Sequence, residues 1–173
     1  NLRVPEARAP EGASSGAERR ISEAGNRARQ QEEARTRLTG GRVLLVEDNE
    51  VNQIVAGAFL RKVGLHVDIA SDGQSALERL AAGSYDVVLM DMHMPVLDGV
   101  ATTRIIRGNA AHTHLAVIAL TASVLPADRQ RCLDAGMNDF IPKPFEPAVI
   151  WETLLKWVPA GMARRTAGTA EPA

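Results

Sequence analysis

Residues 43–53 read VLLVEDNEVNQ, and the fold turns on how this stretch is read. Val43 to Val46 is an unbroken aliphatic run too short for a helix, as expected of a strand buried on both faces. Glu47 and Asp48 end it. Asn49 then offers a side chain able to cap a helix. Val51, Ile54, Val55, Ala58, Phe59 and Val63 follow at helical spacing on one face, the pattern of an amphipathic helix laid on a core, and Gly64 marks its end. The stretch is one strand, one acidic turn and one helix.

The same unit recurs down the chain. Further strand candidates are His66 to Ala70, Asp86 to Met90, Ala116 to Leu120 and Asp139 to Ile141. Helical stretches between and after them are marked by Ala76, Leu77 and Leu80, by Val100, Ala101, Arg104 and Ile105, by Arg129 to Leu133, and by Val149 to Leu155. Pro126 and Pro147 stand near two helix starts, where proline is tolerated. Five strand and helix pairs predict an α/β fold, a doubly wound (βα)5 parallel sheet with helices on both faces. This domain is expected over residues 41–158.

Outside it the texture changes. Residues 1–40 are rich in Ala, Arg, Glu, Gln and Gly, with Leu2, Val4, Ile21 and Leu38 as their sizeable aliphatics. A heptad frame through Ile21, Ala24, Ala28, Gln31, Arg35 and Leu38 holds too few apolar residues for a coiled coil. The expectation is a charged linker, flexible or marginally helical, and a disordered tail over 159–173.

Composition narrows the functional classes. The 173 residues are 45% hydrophobic but only 3% aromatic, so aliphatic side chains must fill the core. A formal net charge of -1 gives no electrostatic footprint for nucleic acid or anionic lipid. Cys132 is the only cysteine, which excludes an intramolecular disulfide and any cysteine-based metal cluster and suits a reducing, cytoplasmic setting. The apolar runs are far shorter than the roughly 20 residues that span a bilayer, and the start lacks the apolar centre of a signal peptide. No nucleic-acid partner and no direct membrane contact are expected.

In open parallel sheets, function gathers at the carboxyl ends of the strands. Glu47 and Asp48 follow the first strand candidate, Asp91 the third, Thr121 the fourth and Lys143 the fifth. Three carboxylates gathered on one rim repel one another unless a cation or protons offset their charge. A hard divalent ion such as Mg2+ suits an all-oxygen set. Asp91 is then placed to act as a nucleophile on a phosphoryl group, whose transfer depends mainly on positioning and charge neutralisation. Mg2+ would take one phosphoryl oxygen, Lys143 another, and the Thr121 hydroxyl or nearby backbone amides a third.

VLLVEDNEVNQ (43–53), VVLMDMHMPVLDG (87–99), VIALTA (117–122) and DFIPKPF (139–145) together resemble the receiver domain of response regulators, in the family's order and spacing. The resemblance implies a flavodoxin-like sheet of strand order 2-1-3-4-5. It implies Asp91 as phosphoacceptor, Asp48 and Asp91 as metal ligands, Glu47 acting on the metal mainly through water, and His93 contributing its backbone carbonyl. It also implies Thr121 and Phe140 as a switch pair, a cis bond between Lys143 and Pro144, and a histidine kinase or histidine phosphotransfer domain as partner. The wording EDNEVNQ, IALTA and KPF is closer to receivers fused to hybrid sensor kinases than to those of DNA-binding regulators. A charged stretch ahead of the domain and a start on Asn1 suit the carboxyl-terminal part of such a kinase, with NLRVP (1–5) readable as the last strand of its ATP-binding domain. A stand-alone regulator is the alternative. A haloacid-dehalogenase-type phosphatase fits less well, because its motif needs a second Asp two residues after the nucleophile and His93 stands there.

Among the remaining residues, His112 and His114 read as solvent-facing, Cys132 as a small buried apolar side chain, and Trp151 and Trp157 as anchors of the last helix. His93 and Ser123 are the expected gatekeepers of water access to Asp91.

Overall fold

The computed structural model describes residues 14–123 and 125–158. Five strands, β1 (Arg42–Val46), β2 (His66–Ala70), β3 (Val87–Asp91), β4 (Ala116–Thr121) and β5 (Asp139–Pro142), form one sheet in the order β2-β1-β3-β4-β5. Every neighbouring pair is parallel. The fold is therefore the doubly wound flavodoxin-like one, and all five strands deliver their carboxyl ends to a single rim. The stretches 1–5 and 159–173 lie outside the described residues.

Alternation along each strand divides the interior into two layers. Val43, Leu45, Val87, Leu89, Ile118, Leu120 and Ile141 point to one face, against α2 (Glu50–Lys62), α6 (Pro147–Trp157) and the end of α1 (Ser14–Leu38). Leu44, Val46, Val88, Met90, Val117 and Ala119 point to the other, against α3 (Gly73–Ala82), α4 (Gly99–Gly108) and α5 (Pro126–Ala135). Local chemistry sets the helix ends. Asn49, Asp72 and Asp98 accept amide hydrogen bonds at the starts of α2, α3 and α4, and Pro126 and Pro147 open α5 and α6. Gly136 closes α5 at φ 98°, a left-handed conformation that glycine adopts without steric cost. Both indoles act as anchors: Trp151 donates to the Phe59 carbonyl at 3.0 Å and Trp157 to Asp139 at 2.8 Å.

Two features differ from the sequence reading. The apolar stripe read on α2 is split: Val63 is buried in the core and Phe59 packs against it, but the rest of the stripe faces outward. Val51 and Ile54 are 67% and 70% exposed, and Val55 and Ala58 are also exposed. Within the helix the buried residues are Ala56, Gly57 and Leu60, whose small leading residues let the helix lie close on the sheet. The second difference is α1, a continuous 25-residue helix where a flexible or marginally helical stretch is expected. Its last turns join the first core layer, with Ala34 and Leu38 fully buried. It runs alongside α6 in the same direction: Gln30 donates to Glu152 at 2.8 Å and, further along both helices, Arg37 to the Leu155 carbonyl at 3.3 Å. Residues 16–29 of α1 are exposed. Burying one leucine contributes about 2 kcal/mol, so Leu38 couples this helix to the sheet despite its polar character elsewhere. Among the described residues, no helix is long and apolar enough to cross a membrane.

Candidate functional site

Parallel pairing carries the candidate residues to one place. Glu47 and Asp48 leave β1, Asp91 is the last residue of β3, Thr121 the last of β4, and Lys143 follows β5. The register aligns Asp91 with Leu120 and Thr121 with Pro142, so the strands end level. One carboxylate oxygen from each of Glu47, Asp48 and Asp91 lies within 4.8 Å of the others. Lys143 Nζ stands 2.8 Å from Glu47 Oε2 and 3.1 Å from Asp91 Oδ1. Glu47 is fully buried and Asp91 nearly so, whereas Asp48 is exposed. The peptide bond from Lys143 to Pro144 is cis.

Each buried carboxylate is held by its local chain. Glu47 Oε1 accepts from the Asn49 amide at 3.2 Å and the Asn52 side chain at 3.4 Å, while Gln53 donates to the Glu47 carbonyl at 2.7 Å. Asp91 Oδ1 accepts from the His93 amide at 3.2 Å. The turn after Asp91 passes back so closely that a Cβ on Gly99 would stand 2.2 Å from the Asp91 carbonyl oxygen. Only glycine fits there. Val96, at the tip of the same turn, has φ 69°, an unusual conformation for a β-branched residue.

The charges do not balance. Burial and then the neighbouring Glu47 charge push the Asp91 carboxyl up to about 6, against the opposing pull of the His93 amide and Lys143. Burial works against the Lys143 ammonium, but its contacts with Glu47 and Asp91 outweigh that and hold it above the usual lysine range. One ammonium shared between two buried carboxylates leaves negative charge over, and Asp48 adds to it. Glu47 Oε2 is buried and accepts no well-directed hydrogen bond, meeting Lys143 as an ion pair only. An all-oxygen donor set with surplus negative charge and an unfilled buried oxygen fits a hard divalent cation, so this cluster can hold a metal ion.

The hydroxyl and the aromatic residue are engaged elsewhere. Thr121 donates to the Ser123 carbonyl at 2.8 Å and accepts from the Ser123 amide at 3.0 Å, a local turn rather than a contact with Asp91. The Ser123 hydroxyl donates to Asp128 at 2.5 Å. Phe140 is half-buried against the second core layer, and the Arg129 guanidinium lies over its ring at 4.2 Å. His93 is exposed. Residues that sequence reasoning did not single out here are Asn52 and Gln53, which brace Glu47, and Asp128 and Arg129 on α5. The first two stand five and six positions after Glu47, one helical turn into α2, so helical periodicity could have found them. The contacts of Arg129 carry no sequence signal, because they depend on how α5 lies against β5.

Comparison with known proteins agrees with this geometry. Residues 43–155 match the response regulator receiver domain. The chain is 41% identical over 121 residues to hybrid signal transduction histidine kinase M of Dictyostelium discoideum, covering 67% of this chain and 5% of that protein. It is 44% identical over 113 residues to the autoinducer 2 sensor kinase/phosphatase LuxQ of Vibrio cholerae, covering 65% of this chain and 13% of that protein. The chain thus spans a small fraction of the kinases it matches. Among solved structures, it superposes on the receiver domain of a sensor histidine kinase from Pseudomonas aeruginosa with a TM-score of 0.65, at 45% identity, over 69% of this chain and 98% of that one. That domain was crystallised with magnesium coordinated in its active-site cleft. The receiver domain of Saccharomyces cerevisiae Ssk1, solved with the histidine phosphotransfer protein Ypd1, matches with a TM-score of 0.64 at 31% identity, over 68% of this chain and 88% of that one.

Proposed function

Because this chain belongs to the response regulator receiver domain family, we propose that it receives a phosphoryl group on Asp91 from a phosphohistidine donor and is the receiver of a hybrid histidine kinase. The observation that carries the proposal is the cluster itself. Two buried carboxylates share Lys143 at 2.8 and 3.1 Å, and a third lies beside them. The cluster is built to take up positive charge and then an anion that the charge recruits. Glu47, Asp48 and Asp91 would hold Mg2+, with the His93 carbonyl as a further ligand. When bound, the ion offsets the repulsion between the incoming phosphoryl oxygens and the carboxylates. The magnesium in the Pseudomonas aeruginosa relative supports this choice of ion.

The chain's own residues account for the rest. An Asp91 carboxylate oxygen attacks phosphorus in line with the donor nitrogen. The oxygen–phosphorus bond forms as the nitrogen–phosphorus bond breaks, and the nitrogen keeps the electron pair and takes a proton. Lys143 moves from ion pairing to neutralising a phosphoryl oxygen. The Thr121 hydroxyl leaves Ser123 to donate to another, and Phe140 follows the resulting shift of the turn after β4. His93 and Ser123, on the turns flanking the site, control the approach of water to the acyl phosphate.

A donor must bring its imidazole to the rim, and the surface there is apolar. Val51 and Ile54 on α2, Val96 after β3 and Leu125 before α5 are exposed on the segments that leave the carboxyl ends of three strands. Apolar side chains ringing a charged centre suit a protein donor, either a histidine kinase or a histidine phosphotransfer domain. The Ypd1 complex of a relative supports the second. The test is incubation with Mg2+ and acetyl phosphate followed by intact mass. The expected result is one added phosphoryl group on the wild type and none on Asp91→Ala. Equal labelling of the variant ends the assignment.

A further inference from the structure

We infer that Arg129 is a positioning residue: its guanidinium, stacked on Phe140, holds that ring in the unphosphorylated orientation and thereby sets how readily Asp91 accepts a phosphoryl group. The inference rests on the reading of Asp91 as phosphoacceptor and adds a regulator to that site. Its starting point is the 4.2 Å approach of the Arg129 guanidinium carbon to the Phe140 ring centroid, well inside the range of a cation–π contact. Among the described residues, the ring is the partner recorded for this exposed guanidinium, whereas the neighbouring Arg131 pairs with Asp128.

Sheet register explains why the contact bears on Asp91. Phe140 pairs with Ala119, and Thr121, two residues on, pairs with Pro142. Residues two apart in a strand share a face, so Phe140 and Thr121 are diagonal neighbours on the face that carries α5. The residue directly opposite Phe140 on β4 is Ala119, whose side chain is only a methyl. Thr121 is tied to Ser123, and Ser123 is tied to Asp128 in the first turn of α5. Arg129 follows Asp128 directly. One short segment of α5 therefore grips both members of the proposed switch pair, Thr121 through Ser123 and Phe140 through the stack. A phosphoryl group that draws the Thr121 hydroxyl toward Asp91 must break the Ser123 tie, shift the start of α5 and carry Arg129 off the ring. The stack weights the balance toward the unphosphorylated state. Removing it raises the population competent for transfer.

The experiment labels the protein with 4-fluorophenylalanine. Three phenylalanines, Phe59, Phe140 and Phe145, give three fluorine resonances, and Phe140→Tyr assigns the relevant one. Arg129→Ala is expected to move the Phe140 resonance toward the position the wild type takes with Mg2+ and acetyl phosphate. It should also raise the initial labelling rate roughly two- to fivefold, the factor that an exposed cation–π contact is worth. Arg129→Lys should fall between the two. Arg61→Ala, the same charge change at the far end of α2, should do neither. A Phe140 resonance and labelling rate unchanged in Arg129→Ala, or slower labelling, overturns the inference. A wild type that takes no phosphoryl group at all defeats the acceptor reading instead, and the regulator falls with it.

Discussion

Replacing Asp91 with asparagine should make the cation-free protein more stable at pH 8. A carboxyl group that titrates near 6 rather than at its ordinary 3.8 disfavours the ionised folded state. At about 1.4 kcal/mol for each tenfold change in proton affinity, the penalty is about 3 kcal/mol once the group is fully charged. The sign follows from the direction of the shift. Because the folded value is raised, the favourable contribution is complete below pH 3.8 and disappears as pH rises through 6. The wild type should therefore lose stability between about pH 4 and 6 without a divalent ion, and Asp91→Asn should lose much less. The figure is an upper bound, since Glu47 and Lys143 readjust when Asp91 becomes neutral. Urea unfolding at pH 5 and pH 8, with EDTA or with 10 mM-scale Mg2+, reads the effect directly. Mg2+ should restore stability to the wild type at pH 8, by linkage to the folded state, and should do little for the variant. A variant no more stable than wild type at pH 8 in EDTA refutes the reasoning, as does a stability gain that is the same at pH 5.

Three further outcomes follow from other parts of the molecule. Leu38→Ala removes a fully buried side chain that joins α1 to the first core layer, and should cost about 2 to 4 kcal/mol in urea unfolding; a loss near zero would mean that α1 is only loosely attached. Gly99→Ala places a methyl 2.2 Å from the Asp91 carbonyl oxygen, so the acceptor turn must shift, with a loss of about 1 to 3 kcal/mol and weaker Mg2+ binding by titration. The double substitution Val51→Glu and Ile54→Glu, at exposed positions on α2, should slow transfer from a phosphorylated histidine phosphotransfer domain by about tenfold or more while leaving labelling by acetyl phosphate and thermal stability unchanged.

Amino-acid order alone determined the parts of this protein that depend on local rules. Aliphatic runs broken by acids specify buried strands that end in carboxylates, as at Val46 to Asp48 and Met90 to Asp91. Asn49 announces a helix start, because a side-chain oxygen and an amide three residues on need no distant partner. Right-handed parallel crossovers then leave little choice about which ends share a rim, so Glu47, Asp48, Asp91, Thr121 and Lys143 were legible as neighbours. Tertiary structure decided what depends on which surfaces meet. Helical periodicity cannot tell a stripe that packs inward from one held for a partner, and α2 packs through Ala56, Gly57 and Leu60 while Val51 and Ile54 stay outside. A polar helix gave no sign that Ala34 and Leu38 would complete the core of the sheet that follows it. The sharing of Lys143 between Glu47 and Asp91, and the seat of Arg129 on Phe140, are likewise set by distances across the fold. Charge and ring orientation at the rim are collective properties of several strands and helices, and no single segment encodes them.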